Sequence, residues 1–440
     1  MRTIDGVISM KSIFSIAAVA AAIGALLAPA SPPPPRPNVV IILIDTLRAD
    51  HLPVYGYPRD TAPFLARLAA KSVVFSAAQS TSAWTAPATA SLFTSLYPFQ
   101  HHVDTGFMVT KQMREIGQEI RLNRLPQDVP TLPEVMKGAG YSTFGVTANV
   151  NIGAVMGFAR GFDHFRHFPS DATATALAEK ARQWDRRLRA GSPYFLYMHF
   201  LDPHAPYREN APWFVPSADP DANRVAAYDS EIRLVDSVLE DLYRTLGWDR
   251  DTLLIVLADH GEEFADHGGR GHGHTLFSEM LHVPLIVHGP GLFAPRRVAE
   301  PVGLIDVLPT LRDLTGTPAD PRDEGRSLRP LLEGGPADVE RRSLFAHLLR
   351  RDRGGRLLHS VLRGRWKYIE GTSGDQLLFD LAHDPRETAN LVKTSPALAG
   401  QLRTNLRESV RSAKTFAGGH AATVLDPSTA ETLRALGYVQ

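Results

Sequence analysis

The chain has 440 residues, 47 Lys and Arg against 47 Asp and Glu, no cysteine and 44% hydrophobic residues. That is a globular composition with room for one large domain and a smaller one. The charge balance argues against a nucleic-acid partner. The lack of Cys excludes disulfides, thiolate chemistry, Cys-ligated zinc and a lipoprotein signal.

The N-terminus reads as an export signal. Lys11 precedes an apolar stretch from Ile13 to Leu27, and Ala28-Pro29-Ala30 supplies small residues for cleavage before Ser31. Arg2 and Asp5 fit this pattern poorly, so Met10 is an alternative start. The other reading is an uncleaved anchor, although the run falls short of the roughly 20 residues of a comfortable span. Pro32–Pro35 with Pro37 form a stiff spacer, so folding is expected to start near Asn38. The expected division is a signal over 1–30, a linker over 31–37, a catalytic domain over 38–318 and a C-terminal subdomain over 319–440.

Apolar runs then alternate with amphipathic stretches, which predicts a mostly parallel sheet covered by helices. Val39–Ile44 has no polar alternation and suits a central strand buried on both faces. Thr61 is the expected N-cap of a helix carrying Phe64, Leu65 and Leu68. Val73–Phe75 is a short strand, and Thr131 opens a helix with Leu132, Val135 and Met136 inward. Tyr194–Phe200 and Leu253–Ala258 are strands, as is Pro284–Val287. Asn223–Leu246 spaces Ile232, Val235, Leu239, Leu242 and Leu246 as one long amphipathic helix. Beyond about residue 320, denser charge and more Gly and Pro turns predict a small α+β unit.

Three separated segments carry the chemistry. Asp45 ends the first apolar run, and Asp259-His260 end the Leu253–Ala258 run ahead of Gly261. Alone, Asp45 reads as a turn or cap residue. With a carboxylate and an imidazole at a second strand end it becomes a candidate metal ligand. Thr85 lies two residues before Pro87, which suits a first helical turn, so it sits at or just before a helix running through Ala90, Leu92, Phe93 and Leu96. An N-terminus there favours an anion, and a hydroxyl beside a cation is a candidate nucleophile; the structural alternative is an N-cap. His199 and His204 flank Asp202 after a strand, and His272 and His274 lie in a Gly-rich loop. They are candidates to donate hydrogen bonds to substrate oxygens or to protonate a leaving group. His267, His282 and His288 are read as structural.

Together the segments resemble the sulfatase family of the alkaline phosphatase superfamily. The resemblance rests on Pro37–Asp50, Thr85–Leu92 with Leu96-Tyr97-Pro98, Ala258–Glu262, Val283–Ile286, Asp306–Thr310, Gly325–Leu328, Trp366-Lys367-Tyr368 and Leu378–Glu387. It implies an alkaline phosphatase-like α/β/α sandwich with a mostly parallel central sheet and a smaller C-terminal α+β subdomain. Three departures matter. The family's Cys-x-Pro-x-Arg reads Thr85-Ala-Pro87-Ala-Thr89, and threonine cannot yield formylglycine; the paired Asp-Asp reads Asp45-Thr46. The lysine-bearing segment also has no counterpart, with Gly145–Asn149 in its place. The Thr nucleophile and Asp259-His260 resemble the branch that includes phosphonate and phosphodiester hydrolases and phosphoethanolamine transferases.

The expected activity is metal-dependent hydrolysis of phosphate or sulfate esters. Asp45, Thr85, Asp259 and His260 hold one divalent ion, zinc or manganese in preference to calcium. Thr85, His204 and His272 do the chemistry, and Asn149, His199 and His274 bind substrate. The substrate is a small-molecule or envelope-derived ester, and a membrane is involved only if the N-terminal segment stays uncleaved. The expected location is the periplasm or exterior of a bacterial cell. A transferase acting on a cell-envelope acceptor and a non-catalytic binding protein on the same scaffold are the alternatives.

Overall fold

The structure is a computed structural model that describes residues 36–107, 123–190, 193–336, 342–349 and 357–416. The expected signal and most of the Pro-rich linker lie outside these residues. From Pro37 onward the chain forms a single unit by itself.

Eight strands build the main sheet: β1 (Asn38–Ile44), β2 (Val73–Phe75), β3 (Ser142–Thr147), β4 (His164–His167), β5 (Tyr194–Phe200), β6 (Thr252–Leu257), β7 (Leu285–His288) and β8 (Arg296–Val298). Their spatial order is β8-β2-β7-β6-β1-β5-β3-β4. Only β7 runs antiparallel to its neighbours. β1 lies between β5 and β6 and is buried at every residue, which explains its unbroken apolar sequence.

The register positions the chemistry. Leu43 pairs with His199 on one side and with Leu257 on the other, and Thr147 also pairs with His199. The carboxyl ends of β1, β3, β5 and β6 therefore finish together, and Asp45, Asn149, His199 and Asp259-His260 emerge side by side. This is where open α/β sheets place their ligands.

Helices cover both faces. On one side α1 (Pro63–Ala69) and α4 (Ala174–Gln183) pack on the long α5 (Pro220–Leu246). On the other, α2 (Thr85–Thr94), α3 (Leu132–Gly138) and α6 (Val307–Thr315) pack together. The long helix starts at Pro220, three residues earlier than its apolar spacing predicts, because Asp219 caps it and Pro220 takes the first turn. Gly247 ends it at φ 69°, a conformation that costs glycine little.

Two local expectations are corrected. Thr61 is not the N-cap of α1: its hydroxyl donates to the His51 carbonyl at 2.6 Å, and the helix starts after Ala62. Asp236 of α5 takes the capping role from across the core, accepting the Phe64 and Leu65 amides at 2.9 and 2.8 Å. The helix expected to run through Leu96 ends at Thr94, with Ser95 turning left-handed at φ 56°.

The C-terminal region holds four antiparallel strands in sequence order: β9 (Ser343–Leu348), β10 (Leu358–Arg363), β11 (Trp366–Gly371) and β12 (Gln376–Asp380). Side chains alternate across it. Ala346, Leu348, Ile369 and Phe379 join the main core, whereas Val361, Tyr368 and Leu378 pack on α7 (Pro396–Ser412) through Ala399, Leu402 and Leu406.

Candidate active site

Thr85 is the first residue of α2, every residue of which is buried. Trp84 precedes it in extended conformation, and the Trp84 side chain makes no capping hydrogen bond to the helix. Thr85 Oγ1 lies 3.2 Å from His260 Nε2, 3.5 Å from Asp45 Oδ1 and 3.4 Å from Asn149 Nδ2. The nucleophile segment and both strand-end segments thus converge on one hydroxyl.

Asp45 is the centre of this cluster and is wholly buried. Its Oδ2 accepts from Asn149 Nδ2 at 2.6 Å and contacts His199 Nε2 at 3.1 Å. Burial alone would raise this carboxyl, but the His199 hydrogen bond and the neighbouring His204 and His260 hold it far below the usual carboxylate range. Asp259 shows the opposite effect: burial, then the charge of Asp45, pushes it up to about 8. His260 is lowered to about 4 by burial and by His272 beside it.

The backbone after Asp45 is held from several sides. Thr46 is β-branched yet sits at φ 56°, a left-handed conformation that costs it energy. Its N–H donates to Asp259 Oδ1 at 3.3 Å. The Tyr228 hydroxyl donates to its carbonyl at 2.8 Å and accepts the Arg48 N–H at 3.0 Å. The Arg48 guanidinium donates to the Glu262 carbonyl at 3.0 Å and pairs with Asp50 and Asp266. These contacts tie the exit of β1 to the exit of β6. Gly261 is needed for the same closeness: a Cβ there would lie 1.9 Å from the Glu279 carbonyl oxygen.

A divalent ion fits these residues. Ligand atoms of Asp45, His199 and Asp259 all lie within 4.8 Å of one another. His260 Nε2 is 3.5 Å from Asp259 Oδ2 and 3.7 Å from Asp45 Oδ1. Asp259 Oδ2 is buried without a hydrogen-bond partner among the described residues. Two buried carboxylates sharing one place, one with an unsatisfied oxygen, are the donor set a cation completes.

Half-buried His204 and His272 stand over this base. The His272 ring lies 4.7 Å from that of His260 and 4.9 Å from that of His204, between centroids. Buried Glu262 anchors His272, with Oε1 3.1 Å from Nδ1. Burial opposes the charge on both, yet the pairing holds His272 above its ordinary value and Glu262 below its own. His274 points elsewhere, onto Glu263 at 2.7 Å, and the structure does not bring it to the cluster. His267 pairs with Glu279, His282 with the Ser76 carbonyl and His288 with Ser72 and Tyr243.

Glu262, Tyr197 and Tyr228 belong to the site, but sequence reasoning assigned them no role. Period-2 spacing puts Tyr197 on the His199 face of β5, and that was the one available signal. Tyr228 reaches Thr46 from 182 residues away, and no local pattern marks it.

The family model for Sulfatase matches residues 37–317, more than half the chain. The chain belongs to the sulfatase family. Members of this family hydrolyse esters, and this chain is an ester hydrolase with the alkaline phosphatase-like fold. A second family model, N-sulphoglucosamine sulphohydrolase, C-terminal, matches residues 272–415. The Delta 4,5-hexuronate-2-O-sulfatase of Bacteroides thetaiotaomicron is 26% identical over 435 residues, covering 81% of this chain and 85% of that protein. Arylsulfatase K of Mus musculus is 30% identical over 177 residues, but the match spans 38% of this chain and 32% of that protein. The crystal structure of the phosphonate monoester hydrolase of Agrobacterium radiobacter superposes with a TM-score of 0.71 at 22% identity, over 86% of this chain and 96% of that one.

Proposed function

We propose that this sulfatase-family protein hydrolyses phosphate or sulfate esters with Thr85 as covalent nucleophile. The observation that carries this reading is the position of Thr85 Oγ1, at the start of α2 and within 3.5 Å of Asp45 and His260. Asp45, Asp259 and His260 would hold a divalent ion, zinc or manganese by their mixed carboxylate and imidazole donors, with calcium as the oxygen-preferring alternative. When bound, such an ion lowers the pKa of a neighbouring hydroxyl and offsets the negative charge of the transferring group.

The side chains divide the remaining work. Thr85 Oγ1 loses its proton to the carboxylate and imidazole cluster and attacks phosphorus or sulfur. The new bond forms as the bond to the leaving oxygen breaks. Asn149 Nδ2, which faces both Asp45 and Thr85, steadies the developing negative charge. The start of α2 directs backbone N–H groups at the same charge. The His204–His272 pair gives the leaving oxygen its proton, with Glu262 fixing the His272 ring. Water then attacks the same centre, the bond to Oγ1 breaks, and the acid leaves as the threonine hydroxyl is restored. Threonine has no route to formylglycine, so the aldehyde-hydrate chemistry of other sulfatases has no place in this scheme.

The relatives' names include a sulfatase of an unsaturated hexuronate and a phosphonate monoester hydrolase. A panel of 4-nitrophenyl sulfates, phosphate mono- and diesters and phosphonates, run with each divalent ion, therefore tests the substrate class. On the best substrate Thr85→Ala is expected to lose about 10³-fold or more in kcat, whereas Thr85→Ser keeps measurable turnover. Full turnover by Thr85→Ala refutes the proposal.

We propose in addition that the Ile13–Leu27 segment directs export to the periplasm or beyond, and that 38–318 and 319–440 are the catalytic domain and C-terminal subdomain. Among the described residues no helix is long and apolar enough to cross a membrane.

A further inference from the structure

His199 and His260 are both fully buried beside Asp45, yet their hydrogen bonds place their protons oppositely. His260 Nδ1 lies 2.9 Å from the Gly261 carbonyl. A carbonyl only accepts, so Nδ1 carries the hydrogen and Nε2 of the neutral ring keeps its lone pair. That lone pair faces Thr85 Oγ1 at 3.2 Å, Asp259 Oδ2 at 3.5 Å and Asp45 Oδ1 at 3.7 Å.

The arrangement at His199 is reversed. Its Nε2 is 3.1 Å from Asp45 Oδ2, and an ionised carboxylate only accepts, so Nε2 carries the hydrogen. Nδ1 of the neutral ring is then bare, and the Tyr197 hydroxyl lies 3.1 Å from it. Tyr197 is fully buried against the rings of Phe93 and Phe162, at 5.0 and 6.3 Å between centroids. His199 Nδ1 is its one hydrogen-bond partner among the described residues. A phenol in an apolar cage with a single neighbour donates to that neighbour, because otherwise its hydrogen is buried unsatisfied.

We infer that Tyr197 is a positioning residue whose hydroxyl locks His199 in the Nε2–H tautomer, making His199 a hydrogen-bond donor to Asp45. Within the ion-binding reading proposed above, on which this part rests, His260 is the imidazole ligand and His199 orients a ligating carboxylate. Spatial clustering alone groups His199 with Asp45 and Asp259. The hydrogen-bond directions remove it from the ligand set and put His260 there. Partners of this outer kind fix ligand orientation and are commonly worth a factor of about 10–100 in metal affinity.

Nitrogen NMR of the full-length protein labelled with ¹⁵N-histidine tests this, with His199 assigned by loss of its signals in His199→Gln. The expected result is a protonated Nε2 and bare Nδ1 on His199, and loss of that tautomer preference in Tyr197→Phe. A proton on Nδ1 of His199, or a Tyr197→Phe spectrum identical to the parent, overturns the inference. Added Zn²⁺ should shift the Nε2 signal of His260 and leave the His199 tautomer in place; a shift of His199 Nε2 to a ligand position also overturns it. If Zn²⁺ moves neither ring, the ion-binding reading fails while the Tyr197–His199 assignment stands. Zn²⁺ affinity of Tyr197→Phe, measured by competition with a chromogenic chelator, should fall about tenfold, and unchanged affinity counts against the positioning role.

Discussion

Glu231 gives the sharpest test of the electrostatics inside this fold. It sits on the buried face of α5 at 2% exposure, and its Oε2 has no hydrogen-bond partner among the described residues. Burial, reinforced by the charge of Asp202, pushes its carboxyl from 4.5 up to about 8. Asp202 is committed elsewhere, because its Oδ2 accepts the Ala174 N–H at the start of α4 at 2.7 Å. The folded protein therefore holds the Glu231 proton more tightly than the unfolded chain does. The sign follows directly: the stabilising protonated state is fully present below pH 4.5, and its contribution is lost as the pH rises through about 8. A shift of this size corresponds to about 3–5 kcal/mol at alkaline pH, at about 1.4 kcal/mol per pH unit. Glu231→Gln keeps the shape and removes the charge. Urea unfolding of parent and variant across pH 4–9 should give nearly equal stabilities at pH 4 and an advantage for the variant that grows between about pH 4.5 and 8 and then levels off. A difference that stays constant with pH, or a less stable variant at pH 9, refutes the argument.

Other predictions follow from the same structure. Asp236→Ala removes the acceptors of the Phe64 and Leu65 amides and should cost about 2 kcal/mol in urea unfolding; a loss below about 0.5 kcal/mol would mean that those amides do not depend on Asp236. Asp259→Asn removes the buried charge and its repulsion with Asp45, which together raise the Asp259 carboxyl, so after chelation at pH 9 the variant should melt above the parent. It should also lose the rise in melting temperature that Zn²⁺ gives the parent, and an unchanged Zn²⁺ response would remove Asp259 from the ligand set.

Much of the scaffold is legible from local sequence because its signals are local. Val39–Ile44 is apolar without alternation since β1 has a strand on each side and helices over both faces. The long helix shows its apolar spacing, and its Asp219-Pro220 start and Gly247 end are visible in the sequence once the cap rules are applied. The strand ends at Asp45 and Asp259-His260 and the Thr-x-Pro of the nucleophile segment are equally local, so the candidates for the centre of the site could be named in advance. The residues that the Sulfatase family model matches, 37–317, include all of these segments.

What sequence alone determined is therefore the kind of element each segment forms and which residue types stand at its ends. What only the tertiary structure decided is which of those ends meet and in what chemical state. Capping of α1 passed from the adjacent Thr61 to Asp236, whose two carboxylate oxygens reach two amides at once where Thr61 spends its one hydroxyl on His51. His274, two residues from His272, turned to Glu263 and left the cluster. His199 and His260 look alike as letters, but a carbonyl beside one and a tyrosine beside the other give them opposite tautomers. Spacing along a chain carries the periodicity of helices and strands. The proton on a buried ring is set by the one or two atoms that face it, and those come from wherever the fold brings them.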